Sequence, residues 1–387
     1  MYLISTYNKI GKAGLAMYKE SKYTIEEKNP DCDAVMVHSE PLHDVEFTDK
    51  LKAIVRVGAG VNTIPVDRCT EKGVVVFNTP GGNANAVKEL TIAAMIMSSR
   101  NGAKAFEWVR GLKDSAVEPG SAVEKGKEVF RGPEIMGKKL GVIGVGAIGS
   151  IMAQACHSLG MDVLGYDPYL SNKMKHTYRH FVNFTDNADD IYSTCDYITI
   201  HVPINEETKD YIGAEQIAKM KDGVYIVNYA RGPVINNEAI CEALKNGKVA
   251  GYSTDFPTRE QLQLENVFAT PHLGAGTPEA DQNCAEMAAR QIIDYLENGN
   301  IVNSVNMPSV SFPRADGDRI TIFHKNVPGV LGTITEKVTA AGLNIENLVN
   351  KARGEIAYTI LDFNCDVDEE LINKLNSIQS VIRVRVI

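Results

Sequence analysis

No CxxC pair, no apolar stretch long enough to span a bilayer and no cluster of Lys and Arg occurs in these 387 residues. The seven cysteines (Cys32, Cys69, Cys156, Cys195, Cys241, Cys284, Cys365) are odd in number and scattered, which argues against a disulfide framework and against a zinc site. Reduced thiols and no metal are therefore expected. The N-terminal MYLISTYNKIGKAG places polar residues where a signal peptide needs a continuous apolar segment, so the expectation is a soluble cytoplasmic protein without a membrane partner. A formal charge of -9 repels a phosphate backbone, so no nucleic-acid partner is expected either.

What is present is a globular composition, 44% hydrophobic and 23% charged, in a chain too long for one core, since single cores stop growing near roughly 250 to 300 residues. Two or three domains follow. From Ala34 to about Pro80, the runs AVMVHS, AIVRVGAG and VVVFNTP alternate with polar stretches, as strands linked by helices do. NANAVKELTIAAMIMSSRNG reads as a long buried helix. Gly111 to Gly137 lacks periodicity and reads as a surface loop plus a short helix. EADQNCAEMAARQIIDYLENG is an amphipathic helix ending at Gly299, and the Pro-, Ser- and Gly-bearing NMPSVSFPRADGD after it reads as a linker. From about Asp318, strand, helix, two strands, helix and strand follow, the βαββαβ order of a ferredoxin-like domain.

KKLGVIGVGAIGSIMAQACHSLGMDVLGYD reads strand, glycine turn, helix, strand. Gly144 allows the tight turn, Gly146 lets a pyrophosphate approach the backbone, and Gly149 packs helix on strand. Asp167 closes the second strand, 18 residues beyond Gly149, where an acidic side chain accepts from ribose hydroxyls and repels a 2′-phosphate. NAD is thus expected over NADP.

Three further residues fall where a strand hands over to a loop: Arg231 in NYARG, Glu260 beyond STDF and His272 in ATPHLG. Hydride transfer from a hydroxy acid needs a base for the hydroxyl proton, a cation for the carboxylate and a partner that tunes the base. His272 suits the first role, Arg231 with its planar fork the second and Glu260 the third. Taken singly, they are better read as a turn histidine, a helix-end salt bridge and a solvated charge, respectively.

Together these motifs resemble the D-2-hydroxyacid dehydrogenase family up to Pro308, through RVGAGVNTI (Arg56 to Ile64), NTPGGNANAVKELT (Asn78 to Thr91), GVIGVGAIG, GYDP, ITIHVPINEET, VNYARGPVI and TPHLGAGT. The resemblance implies catalytic roles for Arg231, Glu260 and His272, with Glu260 pairing the histidine. It implies cofactor contacts at Gly144, Gly146, Ala147, Ile148, Gly149, Asp167, His201, Pro203, Ala230, Asp255 and Gly274, with Asp255 toward the nicotinamide. Substrate contacts are implied at Gly58, Ala59, Gly60, Val61 and Asn83, and Arg56 is the candidate for a substrate phosphate. Two departures stand out: the segment between Glu260 and His272 is short for the family, and Lys88 stands where a small residue is usual.

The tail resembles an ACT domain through HKNVPGVLG (His324 to Gly332) and GLNIEN (Gly342 to Asn347), which implies L-serine as effector at His324, Asn326 and Asn344. The whole is then an α/β protein of two doubly wound parallel-sheet lobes plus a βαββαβ ACT domain. Its expected parts are a substrate-binding domain of residues 1–92 and 284–310, a Rossmann NAD-binding domain of 93–283 and a regulatory domain of 317–387. Dehydrogenase lobes with an ACT tail point to 3-phosphoglycerate as substrate and to a homodimer or homotetramer. The alternatives are another D-2-hydroxy acid, such as lactate or glycerate, and an NAD-sensing corepressor-like binding protein.

Overall fold

The computed structural model describes residues 1–387, which divide into two compact units: Met1–Asn83 with Pro278–Ile387, and Ala84–Thr277. The division falls at helix ends. The helix Ala84–Ser99 belongs whole to the second unit and Pro278–Asn298 whole to the first, whereas the expected boundaries at 92 and 283 would cut both. Residues 317–387 cluster with the first unit.

In that unit β1 (Tyr2–Tyr7), β2 (Tyr23–Glu27), β3 (Ala34–Val37), β4 (Ala53–Arg56) and β5 (Val75–Phe77) form a parallel sheet in the order β2-β1-β3-β4-β5. The runs AVMV and VVF are wholly buried, as strands covered on both faces must be. β1 was not anticipated, because its Ser5 and Thr6 break the apolar run. Both are buried, and Ser5 Oγ accepts from Asn29 N at 2.9 Å. The helix Pro278–Asn298 sends Ala285, Ala288, Ala289, Ile292 and Leu296 into a core shared with Ile4, Met36, Val55 and Phe77. Its alanine stripe allows close approach: a Cβ on Gly14 would lie 2.3 Å from Ala285 O.

The second unit holds β6 (Lys139–Ile143), β7 (Asp162–Tyr166), β8 (Asn183–Phe184), β9 (Tyr197–Ile200), β10 (Val224–Asn228), β11 (Val249–Thr254) and β12 (Val267–Ala269). They run parallel in the order β12-β11-β10-β9-β6-β7-β8. Strand order reverses between β6 and β9, and a crevice opens at the carboxyl ends beside such a switch. The Gly111 to Gly137 region holds one short α-helix, Pro119–Gly126, as its sequence suggested. Helices Gly102–Gly111 and Pro119–Gly126, with 3-10 turns at Leu112–Asp114 and Lys127–Phe130, fold so that the Trp108 and Phe130 rings lie 5.3 Å apart. Each piece is too short for a hydrophobic period to register.

The C-terminal strands β13 (Arg319–Lys325), β14 (Asn347–Arg353), β15 (Ile356–Asp362) and β16 (Val381–Val386) form an antiparallel sheet ordered β14-β15-β13-β16, with helices Val330–Ala340 and Glu369–Asn376 completing the βαββαβ order. One face packs Ile320, Ile322 and Leu361 with the two helices. The other joins the first unit's core through Phe323, Tyr358 and Ile360. This docking also caps a helix. The carbonyls at the end of Pro278–Asn298 have no intrahelical donors, and the C-terminal segment supplies them. Leu296 O accepts from Arg385 Nη2 (3.3 Å), Glu297 O from Arg314 Nη1 (2.7 Å), Asn298 O from Arg319 Nη1 (2.8 Å) and Gly299 O from Tyr358 OH (2.7 Å). Three of the four donors are cationic, which suits the negative end of the helix dipole. No helix is long and apolar enough to cross a membrane, and all seven cysteines are free thiols.

Candidate active site

β6 delivers the chain to Gly144, whose φ of +86° and close approach to His201 O both demand glycine. Gly149 is required for packing, since a Cβ there would lie 1.9 Å from Gly144 O. Gly146 differs: nothing lies within 4 Å of the position its Cβ would take, so the turn opens onto free space. The helix Ala147–Ser158 starts there, and the N–H groups of its first turn, at Ala147, Ile148 and Gly149, have no intrahelical acceptor. An open, donor-rich glycine turn at a helix N-terminus fits a pyrophosphate.

Asp167 bridges this turn and the end of β7. Its Oδ2 accepts from Val145 N (2.9 Å) and its Oδ1 from Tyr169 N (3.0 Å), which fixes the carboxylate beside the turn where a ribose would be read. Beyond β9, His201 Nε2 lies 3.0 Å from Thr199 Oγ1, while the buried Nδ1 has no partner. Burial lowers this imidazole to about 4, so it is neutral at ordinary pH. Pro203 O accepts from Thr208 Oγ1 at 2.6 Å and anchors the loop that follows. The open turn, the fixed carboxylate and the orphaned nitrogen fit a dinucleotide held by these residues.

The acid–base candidates come from the ends of the neighbouring strands β10, β11 and β12. After β10, the buried Asn228 pins the turn that carries Arg231: its Nδ2 donates to Arg231 O (2.9 Å) and its Oδ1 accepts from Ala230 N (3.1 Å). Arg231 Nη1 donates to Ala230 O at 2.6 Å, and the guanidinium carbon lies 5.9 Å from the centre of the Phe256 ring. After β12, His272 is exposed, with a left-handed φ of +55°, and its ring centroid lies 4.6 Å from that of Phe256. Arg231 and His272 therefore both lie against one aromatic ring. The loop bearing His272 is held by Asp255, which is 2% exposed. Its Oδ1 accepts from Thr270 Oγ1 (2.5 Å) and Leu273 N (2.8 Å), and its Oδ2 from Gly274 N (2.7 Å).

Glu260 does not join this group. The pairing implied for it with His272 is absent: its Oε2 accepts from Asn237 Nδ2 at 3.4 Å, in an exposed loop. Hydrogen bonds from its own backbone, Thr258 and Asn237 hold the carboxyl below its usual range. The side chain is engaged instead by the neighbouring helix Asn237–Lys245. Lys88 is tied along its own helix, to Asn85 Oδ1 at 2.5 Å.

In the first unit β4 ends at Arg56, which folds back over the loop that follows. A Cβ on Gly58 (φ +140°) would lie 1.3 Å from Arg56 Nη1, so only glycine admits this arginine conformation. Gly58 N donates to Thr79 Oγ1 (2.7 Å) and Ala59 O accepts from Asn78 Nδ2 (2.7 Å), so the amide of Gly58 is already engaged while the loop through Gly60 and Val61 is pinned in place. Asn83 is the last residue of that unit's N-terminal part.

Of the effector candidates, Asn326 and Asn344 are exposed, donating to Gly354 O and Glu346 Oε1, both at 3.1 Å. His324, the third effector candidate, is buried. It is 3% exposed, and its nitrogens lie 2.9 Å from Lys325 O and from Thr359 Oγ1. Strand alternation puts its side chain on an inward face of β13.

Asn228, Phe256 and Thr270 were missed from sequence. The only signal was their place beside Arg231, Glu260 and His272, and a neutral side chain in a loop announces no chemistry.

Residues 92–274 match the family described as D-isomer specific 2-hydroxyacid dehydrogenase, NAD binding domain. The D-3-phosphoglycerate dehydrogenase of Haemophilus influenzae is 33% identical, over 89% of this chain and 83% of that enzyme. D-3-phosphoglycerate dehydrogenase 1 of Saccharomyces cerevisiae is 30% identical, over 98% of this chain and 86% of its own length. Among solved structures, the NAD+-bound 3-phosphoglycerate dehydrogenase of Entamoeba histolytica superposes with a TM-score of 0.63 at 27% identity, covering 79% of this chain and 98% of that one.

Proposed function

The chain belongs to the D-isomer specific 2-hydroxyacid dehydrogenases, NAD-dependent oxidoreductases, and from that premise we propose that it oxidises 3-phospho-D-glycerate to 3-phosphohydroxypyruvate, the first step of serine biosynthesis. The observation that carries the substrate is the length of the likeness to D-3-phosphoglycerate dehydrogenases, which runs through most of the chain.

In this reading Arg231 binds the substrate carboxylate through two nitrogens of its fork, releasing Ala230 O to do so. The imidazole of His272 takes the hydroxyl proton, and the developing carbonyl oxygen is stabilised by the adjacent guanidinium. NAD, when bound, supplies the hydride acceptor. Asp167 and the N–H groups at Ala147 and Ile148 hold its ribose and pyrophosphate. In the first unit, Ala59, Gly60, Val61 and Arg56 are the residues that the family resemblance assigns to the substrate.

The same reading makes the C-terminal domain an ACT module that binds L-serine in a cytoplasmic homodimer or homotetramer. Its βαββαβ order supports this, and the exposed Asn326 and Asn344 are left to grip the effector, with His324 serving the sheet.

The test is NADH formation with 3-phosphoglycerate, D-lactate and D-glycerate, each with and without serine. Selective turnover of 3-phosphoglycerate, depressed by serine in the wild type but not in Asn344→Ala, is expected. Preference for an unphosphorylated acid would keep the family and discard the substrate, and serine inhibition unchanged in Asn344→Ala would discard the effector site.

A further inference from the structure

β4 and β5 pair as far as Val55 and Phe77, and the loop of residues 58–61 leaves the sheet just beyond, at its carboxyl end. Past the last pair nothing in the ladder holds the two chains together. Thr79 supplies the missing rung: Gly58 N donates to its Oγ1 at 2.7 Å, and its own N donates to Gly58 O at 2.9 Å. Thr79 is 0% exposed, so water does not compete for this exchange. Beside it, Asn78 Nδ2 donates to Ala59 O at 2.7 Å. The loop is thus gripped at its first two residues, the first of which is a glycine at φ +140°.

Both anchors are held in turn by one helix. Gln291 Nε2 donates to Asn78 O at 3.1 Å, and Cys284 lies within hydrogen-bonding reach of the Thr79 side chain. Cys284 and Gln291 stand about two turns apart on Pro278–Asn298, so they share a face. Gly82 allows the close approach: a Cβ there would lie 2.7 Å from Cys284 Sγ. Gln291 is 8% exposed, and its Oε1 is buried without a partner. An amide oxygen left unpaired out of water costs free energy that an apolar side chain of the same length would avoid. What the glutamine supplies is Nε2, which reaches Asn78 O and Met287 O.

We propose that Thr79 and Gln291 are positioning residues for the substrate loop, acting through Gly58 and Asn78 to hold the peptide units from Ala59 to Val61 ready for the hydroxy acid. This rests on the reading of that loop as substrate-binding. Both side chains work from behind the loop, where burial keeps them from being ligands themselves. A loop already held in its binding conformation loses less freedom when the substrate arrives, so the two residues act on substrate affinity and leave the chemical step to others.

The experiment compares Thr79→Val, Thr79→Ser and Gln291→Met in the full chain. Steady-state kinetics are recorded with 3-phosphoglycerate, D-glycerate and D-lactate at saturating NAD, with NADH affinity and melting temperature measured in parallel. Thr79→Val keeps the shape and removes the acceptor. KM for the hydroxy acid should rise about tenfold or more while kcat stays within about threefold, the pattern of binding lost equally from ground and transition states. Thr79→Ser restores the hydroxyl and should bring KM back to within about threefold of wild type. Gln291→Met keeps the length and ends the bond to Asn78 O, so KM should rise about threefold to tenfold; it decides the matter should Thr79→Val fail to fold. NADH affinity should stay near wild type throughout, since the glycine turn belongs to the other unit. If Thr79→Val and Gln291→Met lower Tm but leave KM within about twofold, the residues are structural only and the positioning role is overturned. If the wild type prefers D-glycerate or D-lactate, the phosphoglycerate reading fails, and KM for the preferred acid still decides the positioning role. If it turns over none of the three, the reading of the loop fails and the positioning role with it.

Discussion

Arg319 and Asp362 face each other across β13 and β15 as a two-pronged ion pair, Nε to Oδ1 at 2.6 Å and Nη2 to Oδ2 at 2.9 Å, with both side chains almost wholly out of water. The guanidinium also reaches Asn298 O, Phe312 O and Pro313 O, so the pair that staples the sheet also fastens it to the end of the long helix.

Breaking that pair on one side leaves a buried charge alone. Arg319→Met should destabilise the chain by about 3 to 5 kcal/mol, and the double variant with Asp362→Leu should regain much of the loss. Urea unfolding measures both. A cost below about 1 kcal/mol for the single variant would mean that the apolar contacts of Phe323 and Tyr358 hold the junction without the pair.

On the proposed reading, replacing His272 by Gln removes the base while keeping a polar side chain of similar reach, and kcat should fall about a hundred- to ten-thousand-fold. Arg231→Lys keeps the charge but loses the fork, so KM for the hydroxy acid should rise tenfold or more. A loss below tenfold in His272→Gln would assign the proton transfer elsewhere.

Glu260→Gln should change kcat by less than about threefold and leave its pH dependence in place. The carboxylate is exposed and bonded to Asn237, and such substitutions away from a buried network are close to neutral. If the variant instead loses a hundredfold, Glu260 leaves Asn237 for His272 during turnover.

His201 should make the protein sensitive to acid. Burial lowers the folded-state imidazole from 6.5 to about 4, so between those values the unfolded chain binds a proton that the folded chain refuses. The stabilisation is complete above about pH 6.5 and is lost as pH falls toward 4, by no more than about 3 kcal/mol. Chemical denaturation at pH 7.5 and 4.5 should show a larger drop in wild type than in His201→Gln. Equal drops would place the acid sensitivity in other groups.

Elements with a local signal could be read from the residues alone. The glycine turn at Gly144, Gly146 and Gly149 was legible because each glycine answers a backbone constraint that no other residue meets, and Asp167 because the spacing to the next strand is set by one helix. The fully apolar runs of β3 and β5, the helix Pro278–Asn298 and the C-terminal βαββαβ order were legible because burial imposes its period on the residues. Arg231 and His272 stood out as candidates because their side-chain types suit carboxylate binding and proton transfer and both follow a strand end.

Features that depend on residues far apart in the chain were set by the packed fold. It made β1 a central strand despite Ser5 and Thr6, since hydrogen bonds satisfy their hydroxyls where the sequence shows only polarity. It turned Glu260 toward Asn237 and His324 inward, because a charged or polar side chain binds whichever donor or acceptor the fold brings within 3 Å or so. It brought both Arg231 and His272 against Phe256, and gave the carbonyls of one helix end to arginines and a tyrosine from the C-terminal segment. Such pairings cost the chain loop-closure entropy and leave no periodic trace, so they exist only once the packed fold makes them cheaper than leaving buried polar groups unpaired.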